Sequence, residues 1–311
     1  MGTTPIIQTK ALSMVYKSGK TETKALHNLS LNVNQGEIFG YLGPNGAGKT
    51  TTIRMLLDLI RPTNGSAQIF GLDIRNNSVE IHKRIGFLPG ELNLWKNRTG
   101  NQIVHYLASV RGDVQGITTR ANQIADRLKL DLTKKVRDYS SGNKRKLGLA
   151  IAMMHNPDLL ILDEPTSGLD PLMQQTFNQM MQEYRAQGKT VFLSSHVLSE
   201  VQTICDRVAI IRDGELKAVE TIEKLTHVEF HWVKINFRDA IPSSLQNRLI
   251  SMDHISNVEM NGQSVRLQLF GDFDPLMRAI SDGYVEDLHI EDPSLEEIFL
   301  AFYDGEKEQS S

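Results

Sequence analysis

The stretch Gly43-Pro44-Asn45-Gly46-Ala47-Gly48-Lys49-Thr50 constrains this chain most. It fits the pattern glycine, any four residues, glycine-lysine-threonine. Before it runs Glu37-Ile-Phe-Gly-Tyr-Leu42, mostly apolar and read as a strand. After it, Ile53, Leu56, Leu57 and Ile60 recur at helical spacing, which predicts a helix over 51–60. Strand, glycine loop and helix together are the context in which such a loop cradles phosphate. Glycines let consecutive N–H groups converge on an anion, and the helix start adds its positive dipole end. Residues 43–51, through Thr51, are thus the candidate phosphate contacts. Lys49 reaches the outer phosphates, and the Thr50 hydroxyl is placed to ligand Mg²⁺.

A second carboxylate-bearing strand completes the pattern. Leu159-Leu-Ile-Leu162 is a continuous apolar run, as expected of a parallel strand buried on both faces. It ends in Asp163-Glu164-Pro165. An unpaired carboxylate there is costly, and a metal facing the phosphate loop compensates Asp163. Glu164 beside it is placed to deprotonate an attacking water. Pro171 opens a helix through Arg185, with Asp170 as N-cap. Residues 190–194 read as a strand, followed by Ser195-His196 and a helix over 198–205.

The segment between these halves is different. Residues 101–110, 117–130 and 141–155 read as helices, making about 91–155 a helical subdomain inserted in an α/β frame. Upstream, 6–33 read as strands with a turn at Tyr16-Lys-Ser-Gly19. Asp213-Gly214 and Asn261-Gly262 signal hairpins.

Composition divides the 311 residues in two. Residues 226–311 hold 6 basic and 16 acidic side chains, net −10; the remainder holds 28 and 21, net +7. An acidic unit argues against nucleic-acid binding there. It reads βαββαβ, a ferredoxin-like α+β order. The expected organisation is an α/β domain over 1–224, a small domain over 225–303 closed by a helix from Asp292-Pro293-Ser294, and a disordered tail over 304–311. The single cysteine, Cys205, excludes a disulfide scaffold and reads as a buried thiol. No apolar run approaches the roughly 18 residues a membrane span needs.

Tyr139-Ser-Ser-Gly-Asn-Lys-Arg-Lys146 ahead of the apolar strand, Ser167-Gly-Leu-Asp170 after it and His196 beyond the next strand, all downstream of the phosphate loop, resemble the ATP-binding cassette family in sequence and in order. The resemblance covers roughly residues 6–220. It implies a P-loop ATPase core of mixed sheet with a helical subdomain. It implies ATP and Mg²⁺ as ligands, and head-to-tail pairing of two cassettes around two ATP molecules, here a homodimer with a second copy of this chain because only one phosphate loop is present. Ser140 and Gly142 match the positions that hold the γ-phosphate in trans. Asp170 matches the residue that communicates across the dimer, His196 the switch histidine and Tyr16 the adenine-stacking aromatic. Lys49, Glu164 and His196 carry the catalytic roles.

The resemblance also implies integral membrane permease partners, docked near 90–99 with Trp95 as an aromatic anchor, and hence a cytoplasmic chain held peripherally at the inner membrane face. Three departures stand out. Ser141 replaces a glycine and Asn143 a glutamine of the signature, which predicts weaker or slower trans contacts. Gly90 stands where the family has glutamine, with Glu91 expected to substitute in part. Sequences of this Pro-Gly-acidic kind resemble drug- and antibiotic-export cassettes, and the acidic extension resembles those with roles in dimer stability or regulation. Two other expectations remain open at this level: a soluble cassette of translation or DNA repair, and a low-turnover regulatory or immunity module.

Overall fold

The computed structural model describes residues 5–19, 21–226, 230–281 and 283–291. By its contacts the chain divides into two compact units, Met1–Ile222 and Glu223–Ser311. The closing helix and tail expected beyond residue 291 lie outside the described residues.

The first unit opens with β1 (Pro5–Ser18), β2 (Thr21–Leu29) and β3 (Asn32–Asn34). The expected turn at residues 16–19 is shorter than read. Tyr16, Lys17 and Ser18 still pair with Thr23, Glu22 and Thr21, and the chain reverses at Gly19. Next come β4 (Ile38–Leu42), α1 (Lys49–Leu56), β5 (Asn64–Ile69), β6 (Leu72–Asp73), α2 (Ser78–Lys83) and β7 (Ile85–Leu88). The helix read as reaching Ile60 ends at Leu56. Asp58 adopts a left-handed φ of 50°, which closes the helix although Leu57 stays buried.

Three helices follow: α3 (Gly100–Arg111), α4 (Val114–Arg127) and α5 (Ser141–Met153). Each has a side-chain cap. Thr99 and Gln102 form a capping box, Asp113 accepts from Gly116 N–H, and Ser140 accepts from Asn143 N–H. Ile103, Val104, Ile117, Ala121, Tyr139 and Leu147 bury a separate small core between these helices.

The frame resumes with β8 (Leu159–Asp163), α6 (Pro171–Ala186), β9 (Thr190–Ser195), α7 (Leu198–Ile204), β10 (Arg207–Arg212) and β11 (Glu215–Thr221). The strand order of the main sheet is β11-β10-β4-β9-β8-β7. All neighbours are parallel except β11, which returns antiparallel through Asp213-Gly214. Every residue of β4, β8 and β9 is buried, which is why these strands read as unbroken apolar runs. β1, β2, β3, β5 and β6 form a second, antiparallel sheet. Cys205 is buried, and that burial pushes its thiol pKa far above the ordinary range.

After the short α8 (Ile222–Thr226), the second unit runs β12 (Phe230–Phe237), α9 (Ser243–Ile250), β13 (Ile255–Asn261), β14 (Ser264–Phe270), α10 (Asp274–Ile280) and β15 (Val285–Glu291). The order β13-β14-β12-β15, antiparallel throughout, is the split βαββαβ topology expected from the sequence. Val233, Ile235, Val265 and Leu267 on the sheet bury Leu245, Leu249, Leu276 and Ile280 of the helices. The hairpin loop is Gly262-Gln263, because Asn261 still pairs with Ser264. No helix of the described residues is long and apolar enough to cross a membrane.

Candidate active site

Three neighbouring strands aim their C-terminal ends at one spot. β4 ends into the glycine loop, β8 into Asp163-Glu164 and β9 into Ser195-His196, and β9 lies between the other two. Ligands bind at this edge in open α/β sheets.

The loop is built around close backbone approaches. Gly48 caps α1 with φ 103°, and a Cβ on it would meet the Ala25 carbonyl oxygen at 2.5 Å. At Gly43 a Cβ would fall 2.3 Å from the carbonyl oxygen of Ile211. The first intrahelical bond is from Thr52 N–H to Gly48 O, at 2.9 Å, so the N–H groups of Lys49, Thr50 and Thr51 precede the helix ladder. They border a cavity of about 210 Å³ that Pro44, Asn45, Gly46, Ala25 and Glu164 also line. Ala47 is buried behind it. Such a ring of backbone donors at a helix N-terminus takes an anion.

The side chains around it form one connected network. Lys49, only 6% exposed, donates to the carbonyls of Gly43 (2.6 Å) and Pro44 (3.2 Å) and lies 3.3 Å from Glu164 Oε1. Glu164 Oε2 is 2.7 Å from His196 Nδ1, so the carboxylate bridges the lysine and the histidine. Asp163 is buried, with its two oxygens each accepting a hydroxyl: Thr50 at 2.8 Å and Ser194 at 2.6 Å. The Ser194 hydroxyl also accepts from Glu164 N–H at 3.0 Å. Glu164 holds a left-handed φ of 51°, a conformation costly for a non-glycine residue and concentrated at functional sites.

Thr50 lines the phosphate cavity, and its hydroxyl and the Asp163 carboxylate are hard oxygen donors side by side. They fit Mg²⁺ arriving with a nucleotide, which takes one or two protein oxygens and the rest from phosphate and water. Among the described residues no cluster of three His, Cys, Asp or Glu side chains offers an alternative metal site.

The remaining predicted residues are placed elsewhere. Ser140 and Gly142 stand at the N-terminus of α5, where a Cβ on Gly142 would meet the Gly168 carbonyl oxygen at 2.6 Å. Asp170 caps α6, accepting from Met173 N–H at 3.0 Å. None of these three residues lines the phosphate cavity. Ser141, between Ser140 and Gly142, is exposed. Tyr16 is 40% exposed on β1, also outside the cavity lining.

Sequence reasoning missed two partners. Ser194 sits opposite Asp163 in the β8–β9 register, but inside an apolar strand nothing marked it. Arg145 lies in the run Lys144-Arg145-Lys146, where the sequence reading gave it no role, yet it is 7% exposed. Its guanidinium donates to Pro89 O and Gly90 O, each at 2.8 Å. Gly90 lies directly against Asp163, since a Cβ there would be 3.0 Å from Oδ2. Glu91, expected to stand in for the family glutamine in part, is exposed. The place beside Asp163 is taken by the Gly90 backbone.

The family model described as ABC transporter matches residues 26–167. The chain is 40% identical over 217 residues to the bacitracin transport ATP-binding protein BcrA of Bacillus licheniformis, covering 68% of each protein. It is 37% identical over 233 residues to an uncharacterized ABC transporter ATP-binding protein of Nostoc sp., covering 72% of this chain and 68% of that one. Among solved structures, a dimeric ATP-binding cassette in a post-hydrolysis state with ADP and phosphate superposes with a TM-score of 0.65 at 26% identity, over 70% of this chain and 98% of the other. An ATP-binding subunit of an ABC transporter gives a TM-score of 0.65 at 27% identity, over 71% and 91%.

Proposed function

The chain belongs to the ABC transporter ATP-binding cassette family, and we propose that it is the ATP-hydrolysing subunit of an exporter of antibiotics or similar hydrophobic compounds. The observation that carries the hydrolytic reading is Glu164, held between His196 at 2.7 Å and Lys49 at 3.3 Å beside the phosphate cavity. The export reading rests on the similarity to proteins described as bacitracin transport ATP-binding proteins, in Bacillus licheniformis and in Enterococcus faecalis.

In this reading the N–H groups of residues 46–51 hold the phosphates, and adenine stacks on the exposed Tyr16. The incoming phosphate competes with Glu164 and two carbonyls for the Lys49 ammonium. The Glu164 carboxylate, released from Lys49, accepts the proton of the attacking water, and His196 steadies it. Thr50 and Asp163 would hold Mg²⁺, which would supply charge neutralisation to the phosphates. Ser140 and Gly142 of a second copy close the site from across the dimer, with Asp170 alongside. Two copies make two sites, and membrane-embedded partner subunits supply the pathway and hold the chain at the inner membrane face.

The docking surface for such a partner is a groove of about 1360 Å³ on the helical subdomain, lined by Trp95, Lys96, Arg98, Gln102 and Tyr106 among others. Trp95 and Tyr106 are each about half exposed and meet edge to face with ring centroids 5.1 Å apart. Exposed paired aromatics with a basic rim fit an amphipathic segment carrying acidic side chains. Trp95→Ala should leave the ATPase of the isolated chain within ~2-fold, while abolishing most of its modulation by the co-expressed membrane protein; loss of a central aromatic anchor costs about 2 kcal/mol or more of binding. Modulation retained in full would show that docking lies elsewhere.

A further inference from the structure

Arg145 sits one helical turn beyond Ser140 and Gly142, on the same helix whose N-terminus is the trans half-site. Its buried guanidinium points away from that end, into the body of the first unit. Nη2 donates to Gly90 O at 2.8 Å, and Nη1 donates to Pro89 O at 2.8 Å and, more loosely, to Asp163 O at 3.4 Å. The last contact matters because Asp163 C=O and Glu164 N–H belong to one peptide group. That peptide is held from both sides, by Arg145 at its carbonyl and by Ser194 Oγ at its N–H. It is also the peptide that delivers Glu164 in its left-handed conformation. Burial lowers the Arg145 pKa, while Asp163 and Glu164 oppose that shift.

We propose that Arg145 is a positioning residue: it transmits displacement of the α5 N-terminus to the Asp163–Glu164 peptide, so that docking of a nucleotide from a second copy sets the aim of Glu164. The proposal rests on the reading of Glu164 as the base. Gly90 is part of the same device. With no side chain at position 90, the backbone comes against Asp163 and its carbonyl is available to the guanidinium. A lysine has the charge but a single nitrogen, and cannot span three carbonyls with a planar fork.

The test compares wild type, Arg145→Lys and Arg127→Lys in the full chain. Arg127 makes an exposed bidentate pair with Glu183 and serves as the control. Three readouts are taken: ATP affinity, ATP-driven dimerisation in a Glu164→Gln background, and kcat. Arg145→Lys should keep affinity and dimerisation within ~2-fold yet lose ~10-fold or more in kcat, since ångström-scale misplacement of a catalytic group costs up to ~100-fold. Arg127→Lys should match wild type in all three. Should Arg145→Lys melt early, Arg145→Gln replaces it: its one amide nitrogen cannot hold the carbonyls of Pro89, Gly90 and Asp163 together, and the same loss is expected, confined to kcat. An unchanged kcat, or a fall in affinity and dimerisation equal to the fall in kcat, overturns the proposal. Wild-type hydrolysis that survives Glu164→Gln overturns the underlying reading of Glu164, and the proposal with it.

Discussion

Glu164→Gln should lower ATP hydrolysis by ~10²- to 10⁴-fold, the usual contribution of a positioned general base, without weakening ATP binding. The amide has nearly the shape of the carboxylate and keeps a hydrogen bond within reach of His196, 2.7 Å away. What it lacks is the capacity to take a proton. The change also removes a negative charge 3.3 Å from Lys49, beside the cavity that receives phosphate. Affinity for ATP should therefore hold or rise, and the ATP-bound dimer should accumulate. Phosphate release and equilibrium binding of ATP, measured on the same preparation, separate the two effects. A rate loss below ~10-fold would assign the proton to another group.

Gly48→Ala should act on binding instead. The residue caps α1 with φ 103°, outside the range an L-residue adopts comfortably, and its Cβ would lie 2.5 Å from a backbone oxygen of Ala25. Left-handed strain alone costs ~1–2 kcal/mol, and relief of the collision moves the loop proposed to hold phosphate through its N–H groups. ATP affinity should fall by ~10-fold or more, because ~1.4 kcal/mol is a factor of ten. The second unit, with its own core, should be unaffected, so a thermal melt distinguishes local loss of the site from global unfolding. Equal ATP affinity in the alanine variant would mean that the loop binds phosphate in a different conformation.

Much of this site could be read from the sequence because its physics is local. A strand buried on both faces must be apolar throughout, so 159–162 and 190–194 announced themselves, and the residues at their ends became candidates. Asp170 followed by Pro171 is a cap and first-turn pair, and the side chain does cap α6. What was missed shares another cause. Nothing in the sequence sets Arg145 apart from its basic neighbours, and only the packing of α5 against the segment at 89–90 buries it. Ser194 became visible only through the β8–β9 register. The approach of Gly90 to Asp163 and the Arg145 bond to its carbonyl were equally hidden, since sequence adjacency to a missing glutamine says nothing about which backbone approaches Asp163. Helix α1 stops at Leu56 because Asp58 turns left-handed, which the apolar spacing through Ile60 concealed.

The placement of Ser140, Gly142 and Asp170 away from the phosphate cavity is the feature on which the central claim turns. A site completed by a second copy ties catalysis to association. The direct measurement is the specific ATPase rate at saturating MgATP as a function of chain concentration. The account predicts a rate per chain that climbs with concentration to a plateau, and a Ser140→Arg variant that stays near zero across the range. A rate per chain independent of concentration, and equal in the Ser140→Arg variant, would contradict it.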